Sequence, residues 1–247
     1  MRLNQFLARA GLGSRRQADT WIRDGRVRVN GAPPEGIGVS VDPGVDRVTF
    51  DGASVTLPAE FRYLAYYKPR DVLVSRRSQG GRRTIFDTLG KRARGLHAVG
   101  RLDLDSEGLL LLTDDGALSE ALLHPRTAIL RRYRVWVHPG PSPEAEGILM
   151  KGTTVEGVHV APIRVRRESS SASSGVLLID LAEGRKREVR ALARAAKLHV
   201  FRLQRVRFGP IELGTLRPGA TRALADHEVE ALRRDAFRRP PSGATLR

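Results

Sequence analysis

Apolar side chains near the start of the chain recur with the spacing of an amphipathic helix. Leu3, Phe6, Leu7 and Ala10 occupy positions i, i+3, i+4 and i+7. A helical backbone places all of these positions on one face. Gly11 follows directly, and glycine is the residue that most often ends a helix. The pattern predicts a short first helix with one buried face.

A second helix is predicted to begin after a capping box. Ser14 precedes Gln17 by three residues, so each side chain can bond the backbone of the other, and Gly25 marks the end. The segment RVRVNG alternates arginine and valine as a half-buried strand does, and Asn30–Gly31 favours a hairpin turn. The apolar side of this helix is predicted to comprise Ala18, Trp21 and Ile22.

From Arg62 onward the pattern changes to short apolar runs separated by turns and a few helices. The runs typical of strands are YLAYY, GLLLLT, YRVWVH and VLLIDL. No long helical periodicity dominates, and no repeat of 20–50 residues is visible. This pattern favours a mixed, mostly antiparallel α+β domain.

The turn-rich segment 42–60 separates the two patterns, and we place the domain boundary near Leu57–Phe61. The sequence therefore predicts a small α/β module at residues 1–58 and an α+β domain at residues 60–238. Residues 239–247 are predicted to form a disordered tail.

Composition points to a polyanionic partner. The 247 residues include 43 lysines and arginines against 27 acids, a net charge of +16, and arginine binds phosphates through a planar fork. The alternative is an arginine-rich proteome with merely solvated charges. The absence of cysteine excludes disulfides, thiolate zinc sites and cysteine nucleophiles. Because no signal-like or membrane-spanning segment is visible, we expect a cytoplasmic protein with no membrane partner.

Five carboxylates lie within thirteen positions of the stretch VGRLDLDSEGLLLLTDDGALS. Their spacing partly matches a calcium-binding EF-hand loop, but Glu107 and Asp114 are unusual at their places and LLLL suggests a buried strand. Asp114 and Asp115 before Gly116 fit a solvated turn. Asp105 and Glu107 can be surface residues that pair with nearby arginines. Asp103 differs, because a carboxylate beside Arg101 at a strand entrance stays ionised and can act as a nucleophile.

Other catalytic classes lack their residues. The six histidines are scattered without metal-ligand spacing, so metal-dependent nuclease chemistry is poorly supported. No phosphate-binding glycine motif is present, so ATP or dinucleotide use is not expected.

The segment RLNQFLARAGLGSRRQADTWIRDGRVRVNG resembles the small RNA-binding domain named after ribosomal protein S4. Its helix–turn–helix, short hairpin and basic second helix are those of an RNA-binding module. The resemblance implies RNA contacts by the arginines of this segment, namely Arg2, Arg15, Arg16, Arg23, Arg26 and Arg28.

The segment GRLDLDSEGLLLLTDDG resembles the signature of the pseudouridine synthases that modify ribosomal RNA and carry such an N-terminal domain. YYKPRDVLVS, RRYRVWV and EGRKREVRALARAAKLHVFRLQRVRFGP resemble further family elements in the same order. The resemblance implies Asp103 as nucleophile, Tyr133 as active-site tyrosine and Arg190 as the partner of the nucleophile. The substrate-binding residues it implies are Lys68 beside Pro69, Arg101, Arg187 and Leu203.

The chain also departs from the family pattern. Asp71 stands where glycine is frequent, and Lys186 and Glu188 replace the more usual asparagine and glutamine. These departures bear on RNA contacts and not on the reaction type.

The implied reaction converts a uridine of ribosomal RNA to pseudouridine without a cofactor or metal. TIFDTLG and the Asp103 motif suggest 23S rather than 16S rRNA as target. A noncatalytic RNA-binding assembly factor with the same fold is the alternative. We expect a monomer acting on rRNA, either free or in a pre-ribosomal particle.

Overall fold

The computed structural model of the chain describes residues 1–238. The tail predicted at residues 239–247 lies outside the described residues. The chain divides into two compact units. The first contains Met1–Arg62 and Gly90–His97, and the second contains Tyr63–Leu89 and the chain from Ala98 onward.

The first unit contains two helices and a small antiparallel sheet. Ser14 and Gln17 form the predicted capping box, and Leu3, Phe6 and Ala18 are buried in the core of this unit. Arg94 donates from Nε to the carbonyl oxygen of Gly11 at 3.1 Å. The elements are α1 (Leu3–Arg9), α2 (Arg15–Arg23), β1 (Val27–Val29), β2 (Val48–Phe50) and β3 (Ala53–Val55), with a 3-10 turn at Gly90–Ala93.

The predicted hairpin at Asn30–Gly31 is only partly correct. Both residues have positive φ, and Val29 bridges Ala32 as in a tight turn. However, β1 pairs with β2, which comes much later in the chain. The residues after Ala32 are Pro33 and Pro34, and proline has no N–H to donate to a strand ladder.

The second unit is built on one large mixed sheet, and this confirms the predicted α+β fold. Its strands follow the order β10-β11-β7-β12-β6-β4-β14, with β13 on β12 and β5 on β6. β12 and β6 are parallel, and the other pairs along this order are antiparallel. The strands are β4 (Tyr63–Lys68), β5 (His97–Val99), β6 (Glu107–Thr113), β7 (Arg131–His138), β10 (Arg164–Ser170), β11 (Gly175–Leu181), β12 (His199–Phe208), β13 (Ile211–Glu212) and β14 (Thr221–Ala223).

Helices and a short hairpin pack on this sheet in two apolar clusters. One cluster joins β7, β11 and β12 to two helices through residues such as Val135, Leu149 and Leu192. The other joins β4 and β6 to the two remaining longer helices through Leu111, Leu122 and Leu232. The elements are α3 (Ile85–Leu89), α4 (Gly116–Leu123), a 3-10 turn (Pro125–Thr127), α5 (Pro143–Lys151), β8 (Thr153–Val155), β9 (Val158–Val160), α6 (Glu188–Ala195) and α7 (Asp226–Phe237).

The calcium alternative is wrong for the acidic stretch. The residues that would form an EF-hand loop enter β6, whose residues are all buried. Among residues 1–238, no cluster of three histidine, aspartate or glutamate side chains is arranged to hold a metal ion. In the same range, no helix has the length and hydropathy needed to cross a membrane.

Candidate active site

The segment that carries Asp103 is a tight turn leading into β6. The amide of Ser106 donates to the carbonyl oxygen of Asp103 at 3.1 Å, which closes the turn. The amide of Asp71 donates to the carbonyl oxygen of Leu104 at 2.9 Å, so the loop after β4 holds the turn from the side. Asp103 is therefore presented from a backbone that is bonded on two sides.

The side chain of Lys68 holds the same turn through hydrogen bonds to its carbonyl oxygens. Its Nζ donates to the carbonyl oxygens of Ser106 at 2.7 Å, Pro69 at 3.0 Å and Leu104 at 3.4 Å. The side chain is completely buried, and this burial lowers the pKa of Lys68 to about 8, although the nearby carboxylates of Asp105 and others oppose the shift.

The predicted substrate contact by Lys68 is therefore corrected. A fully buried ammonium group bonded to three carbonyl oxygens holds the Asp103 turn and does not reach a ligand. Strand position explains the difference, since Lys68 is the last residue of β4 and there its side chain reaches the carbonyl oxygens of Leu104 and Ser106.

Gly108 allows β6 and β12 to approach closely beside this turn. A Cβ atom at this position would collide with the backbone of Arg205, and φ is +103°, which disfavours other residue types. The glycine thereby brings the strand after Asp103 against the strand that carries Leu203 and Arg205.

Asp103 lies on the wall of a cavity of about 240 Å³, which we call the Tyr133 cavity. Tyr133 of β7 also lines this cavity and is almost fully buried. Arg131 lies beside it on the wall, because alternate residues of a strand point to the same side of the sheet. Leu203 of β12 adds an apolar surface. Five predicted site residues line the cavity, namely Arg101, Asp103, Tyr133, Arg187 and Leu203.

Arg190 does not form the predicted ion pair with Asp103. Its Nη2 lies 2.9 Å from Oδ2 of Asp105, and its Nη1 donates to the carbonyl oxygen of Val200 at 2.9 Å. Nη2 of Arg187 lies 3.5 Å from the same Asp105 carboxylate. Within residues 1–238, Asp103 has no ion pair.

The turn geometry gives the physical reason. Asp105 lies inside the turn closed by Ser106, and its carboxylate binds α6, whereas Asp103 opens the turn and lines the cavity. The interpretation that Asp105 and Glu107 pair with arginines is confirmed, because Glu107 binds Nε of Arg202 at 2.6 Å, but the expected surface position is wrong for Glu107, which is buried at the start of β6.

Sequence reasoning did not assign three buried charged residues to the cavity wall: Arg131, Glu188 and Arg205. Nε of Arg205 donates to the carbonyl oxygen of Leu109 at 2.8 Å, and the residue is only 2% exposed. Nη1 of Arg131 donates to Ile129 at 2.8 Å and to Ala182 at 3.1 Å. The sequence did contain a signal for Arg131. It lies two residues before Tyr133 on β7, and residues two apart on a strand face the same side of the sheet.

Burial acts on the charges of this wall in opposite directions. It lowers the pKa of Arg131, because the charged guanidinium loses solvation. It raises the pKa of Glu188, whose Oε2 accepts the amide of Arg185 at 2.9 Å. At the rim, Arg101 and Arg187 are exposed. The cavity therefore combines one positioned carboxylate, an aromatic ring and several cations, which suits an anionic ligand with a flat base.

Comparison with known proteins agrees with this arrangement. Residues 62–195, more than half of the chain, match the model of the RNA pseudouridylate synthase family. The chain belongs to the RNA pseudouridylate synthases. Residues 1–33 of this synthase match the S4 domain.

Relatives of the synthase extend over nearly its whole length. An RNA pseudouridine synthase of Aquifex aeolicus is 37% identical, covering 94% of this chain and 93% of the relative. The Bacillus subtilis protein named ribosomal large subunit pseudouridine synthase B is 34% identical, covering 94% and 95%. A crystal structure titled pseudouridylate synthase superposes with a TM-score of 0.63 at 27% identity, covering 94% of this chain and 99% of that one.

The S4 domain of the synthase exposes the arginines that were predicted to contact RNA. All six are on the surface, although two of them have partners within the unit. Arg26 pairs with Asp51 and stacks 4.7 Å from the ring of Phe50, and Arg28 donates to Gly31 at 3.1 Å. The others are Arg2, Arg15, Arg16 and Arg23.

Proposed function

We propose that this synthase isomerises a uridine of ribosomal RNA, in the 23S molecule, with Asp103 as its nucleophile. The observation that carries the proposal is the position of Asp103 on the wall of the Tyr133 cavity, without a competing ion pair and on a turn held by Lys68. The relative named for the large ribosomal subunit supports the choice of RNA.

The cavity has the size for one base. Its volume of about 240 Å³ is below the ~300–1,000 Å³ of pockets for larger ligands. A uridine in a folded RNA must therefore leave its stack to enter, as in other enzymes that modify bases. Tyr133 and Leu203 supply the surfaces between which a flat ring packs, while Arg101 and Arg187 at the rim bind flanking phosphates.

The reaction exchanges one glycosidic bond for another. The bond from ribose C1′ to N1 breaks, the uracil turns, and C1′ bonds to C5, which then loses its proton while N1 gains one. An oxygen of the Asp103 carboxylate bonds C1′ as the C1′–N1 bond breaks, and C5 then displaces this oxygen from C1′, which regenerates the carboxylate. Tyr133 packs against the detached base, and its hydroxyl accepts the C5 proton as its own proton passes to N1. Atoms and electrons balance without an external oxidant or reductant.

Arg190 acts on this site through Asp105. Its ion pair with Asp105 and its bond to Val200 hold the inner side of the turn, so Arg190 positions Asp103 indirectly. We place the enzyme in the cytoplasm as a monomer, where rRNA is available free or in assembling particles.

Mapping of pseudouridines in ribosomal RNA tests the proposal. One 23S uridine should lack modification in cells without the gene, and wild-type protein should restore it, whereas Asp103→Asn should not. Loss confined to 16S rRNA would assign the other subunit. Restoration of growth or assembly by Asp103→Asn, with no change in any pseudouridine, would indicate a noncatalytic assembly factor.

A further inference from the structure

A second concave site lies on the sheet face opposite the Tyr133 cavity. Successive side chains of a strand point to opposite faces, so Arg132 and Arg134 of β7 face away from Tyr133. They line a groove of about 430 Å³. We call it the arginine groove, and its cationic residues are Arg132, Arg134, Arg166 and Arg207.

Two of these arginines are held rigidly by carboxylates. Arg132 donates from Nε and Nη2 to Asp180 at 2.6 and 2.7 Å, and Arg134 donates from Nε and Nη2 to Glu168 at 2.7 and 2.9 Å. A guanidinium group has five N–H donors, so each arginine keeps donors for a further acceptor. The paired arginines are thus oriented without being saturated.

The other two arginines carry less compensated charge. Arg166 is exposed, and within residues 1–238 it has no ion pair or side-chain hydrogen bond. Arg207 lies 3.9 Å from Glu212, and that carboxylate is itself largely exposed. The four arginines outnumber the three acids Asp180, Glu168 and Glu212, so the groove retains positive charge.

The floor of the groove suits a nucleoside better than a bare ion. Leu178 and Val206 supply apolar surface, and the amide of Gln204 donates to the hydroxyl of Tyr67 at 2.7 Å. Trp136 follows Arg134 on the same face of β7, and the guanidinium of Arg202 lies 4.4 Å from its ring centre. Open sheet faces with aromatic and arginine side chains bind single-stranded RNA by stacking and charge.

We propose that the arginine groove binds a single-stranded segment of the RNA substrate, outside the nucleotide that enters the Tyr133 cavity. Arg166 and Arg207 contact its phosphates, and the floor packs against a base or sugar. The inference rests on RNA as the ligand of this family and is independent of the catalytic role of Asp103. An acidic protein segment is the competing occupant.

Charge reversal in the full-length protein tests the groove. The measured quantity is the affinity for a fluorescein-labelled oligouridylate over a series of salt concentrations. Arg166→Glu should weaken binding about fivefold at 0.1 M salt and lower the salt slope by about 0.7, the contribution of one phosphate contact to a single strand. Arg166→Lys should keep most of the affinity.

Lys151→Glu is the matched control. Lys151 is exposed at the end of α5, and α5 packs on the Tyr133 side of the sheet through Ala145 and Leu149. The net charge changes equally, so a general electrostatic effect would weaken both variants alike and would overturn the proposal. Unchanged affinity in Arg166→Glu would also overturn it, and would leave an acidic protein segment as the candidate.

The fluorescence of Trp136 provides an independent measurement. The chain has two tryptophans, so Trp21→Phe leaves Trp136 as the sole indole. Oligouridylate should change its emission, and the response should require a higher RNA concentration after Arg166→Glu. An unresponsive Trp136 at saturating RNA contradicts the proposal. Failure here is distinguishable from failure of the catalytic proposal, because pseudouridine formation by wild-type protein is measured separately.

Discussion

Arg131 and Arg132 are neighbours on β7, yet they lie on opposite faces of the sheet and bind different partners. On the cavity side, Nη1 of Arg131 donates to the carbonyl oxygens of Ile129 and Ala182, which are neutral partners and leave its charge uncancelled. On the groove side, Arg132 is paired with the carboxylate of Asp180. The hydrogen-bonding partners therefore decide how much of each arginine's charge is left for an anionic ligand.

Arg205 extends the comparison to the neighbouring strand. It bonds a carbonyl oxygen on the cavity side, and within residues 1–238 it has no ion pair. Arg202 of the same strand binds the carboxylate of Glu107 instead. We infer that the cavity face serves the reaction, while the ion pairs of the other face mainly serve stability and positioning.

Loss of charge at Asp103 should have the largest effect. Asp103→Asn keeps the volume of the side chain but removes the charge of the proposed nucleophile, so turnover should fall by about 10⁴-fold or more, since removing the nucleophile of a serine protease costs about 10⁶-fold. Single-turnover assays of pseudouridine formation measure this, with RNA affinity and thermal unfolding as controls. Turnover within tenfold of wild type, which corresponds to a barrier change below about 1.4 kcal/mol, would remove Asp103 from the chemistry.

Loss of the Tyr133 hydroxyl should be the next largest effect. Tyr133→Phe keeps the ring that packs on the base, so RNA should bind normally, but proton removal from C5 should slow by about 10²–10⁴-fold. The reaction should stall after the base is detached, which trapping of the RNA intermediate and rapid quenching can show. Full turnover would mean that another group accepts the proton.

Lys68→Met should change how the free energy of unfolding depends on pH, and this tests the role of Lys68 in supporting the Asp103 turn. The pKa of Lys68 is about 8 in the folded protein against an ordinary value of 10.5. The unfolded chain therefore binds more protons between these values, and the stability of the wild type should rise with pH across this window. The slope should be at most about 1.4 kcal/mol per pH unit.

Urea unfolding of both proteins from neutral to alkaline pH isolates the contribution of Lys68. The wild type should gain stability relative to Lys68→Met above about pH 8. A constant difference between the two curves would contradict the buried, shifted amine. Because methionine cannot donate to the three carbonyl oxygens, the variant should also lose turnover.

Arg132→Met and Arg205→Met should separate the two faces directly. Arg132→Met leaves Asp180 buried without its partner, so stability should fall by about 2–3 kcal/mol, while kcat at saturating RNA stays near wild type. Arg205→Met should lower kcat as well. Thermal unfolding and steady-state kinetics on the same preparations give both quantities, and equal kcat losses would break the distinction between the faces.

Arg190→Ala should have the smallest effect on stability. Its partner Asp105 is 36% exposed at the side chain, so solvent screening limits the pair to about 1 kcal/mol. The double variant with Asp105→Asn should recover part of this loss, whereas the double variant with Asp103→Asn should not. A double-mutant cycle on unfolding free energies checks the pairing, and coupling to Asp103 instead would contradict the geometry.

Local pattern accounts for the parts of this structure that were predicted well. The capping box of Ser14 and Gln17, the buried LLLL strand and the mixed sheet follow from side-chain periodicity and turn chemistry, which act over a few residues. The turn at Asn30–Gly31 forms, but the predicted hairpin stops there, because Pro33 and Pro34 cannot continue a strand and β1 pairs with the distant β2 instead.

Residue patterns were enough to predict the α+β class, the motifs that identify a pseudouridine synthase, and five of the side chains that line the cavity. Three features depended on the tertiary structure. Arg190 pairs with Asp105, and Lys68 is a buried support of the Asp103 turn. Arginines on the sheet face opposite Tyr133 form a second groove. The reason is physical. Periodicity specifies which face a side chain occupies, whereas its partner depends on distances of a few ångströms between elements far apart in the chain.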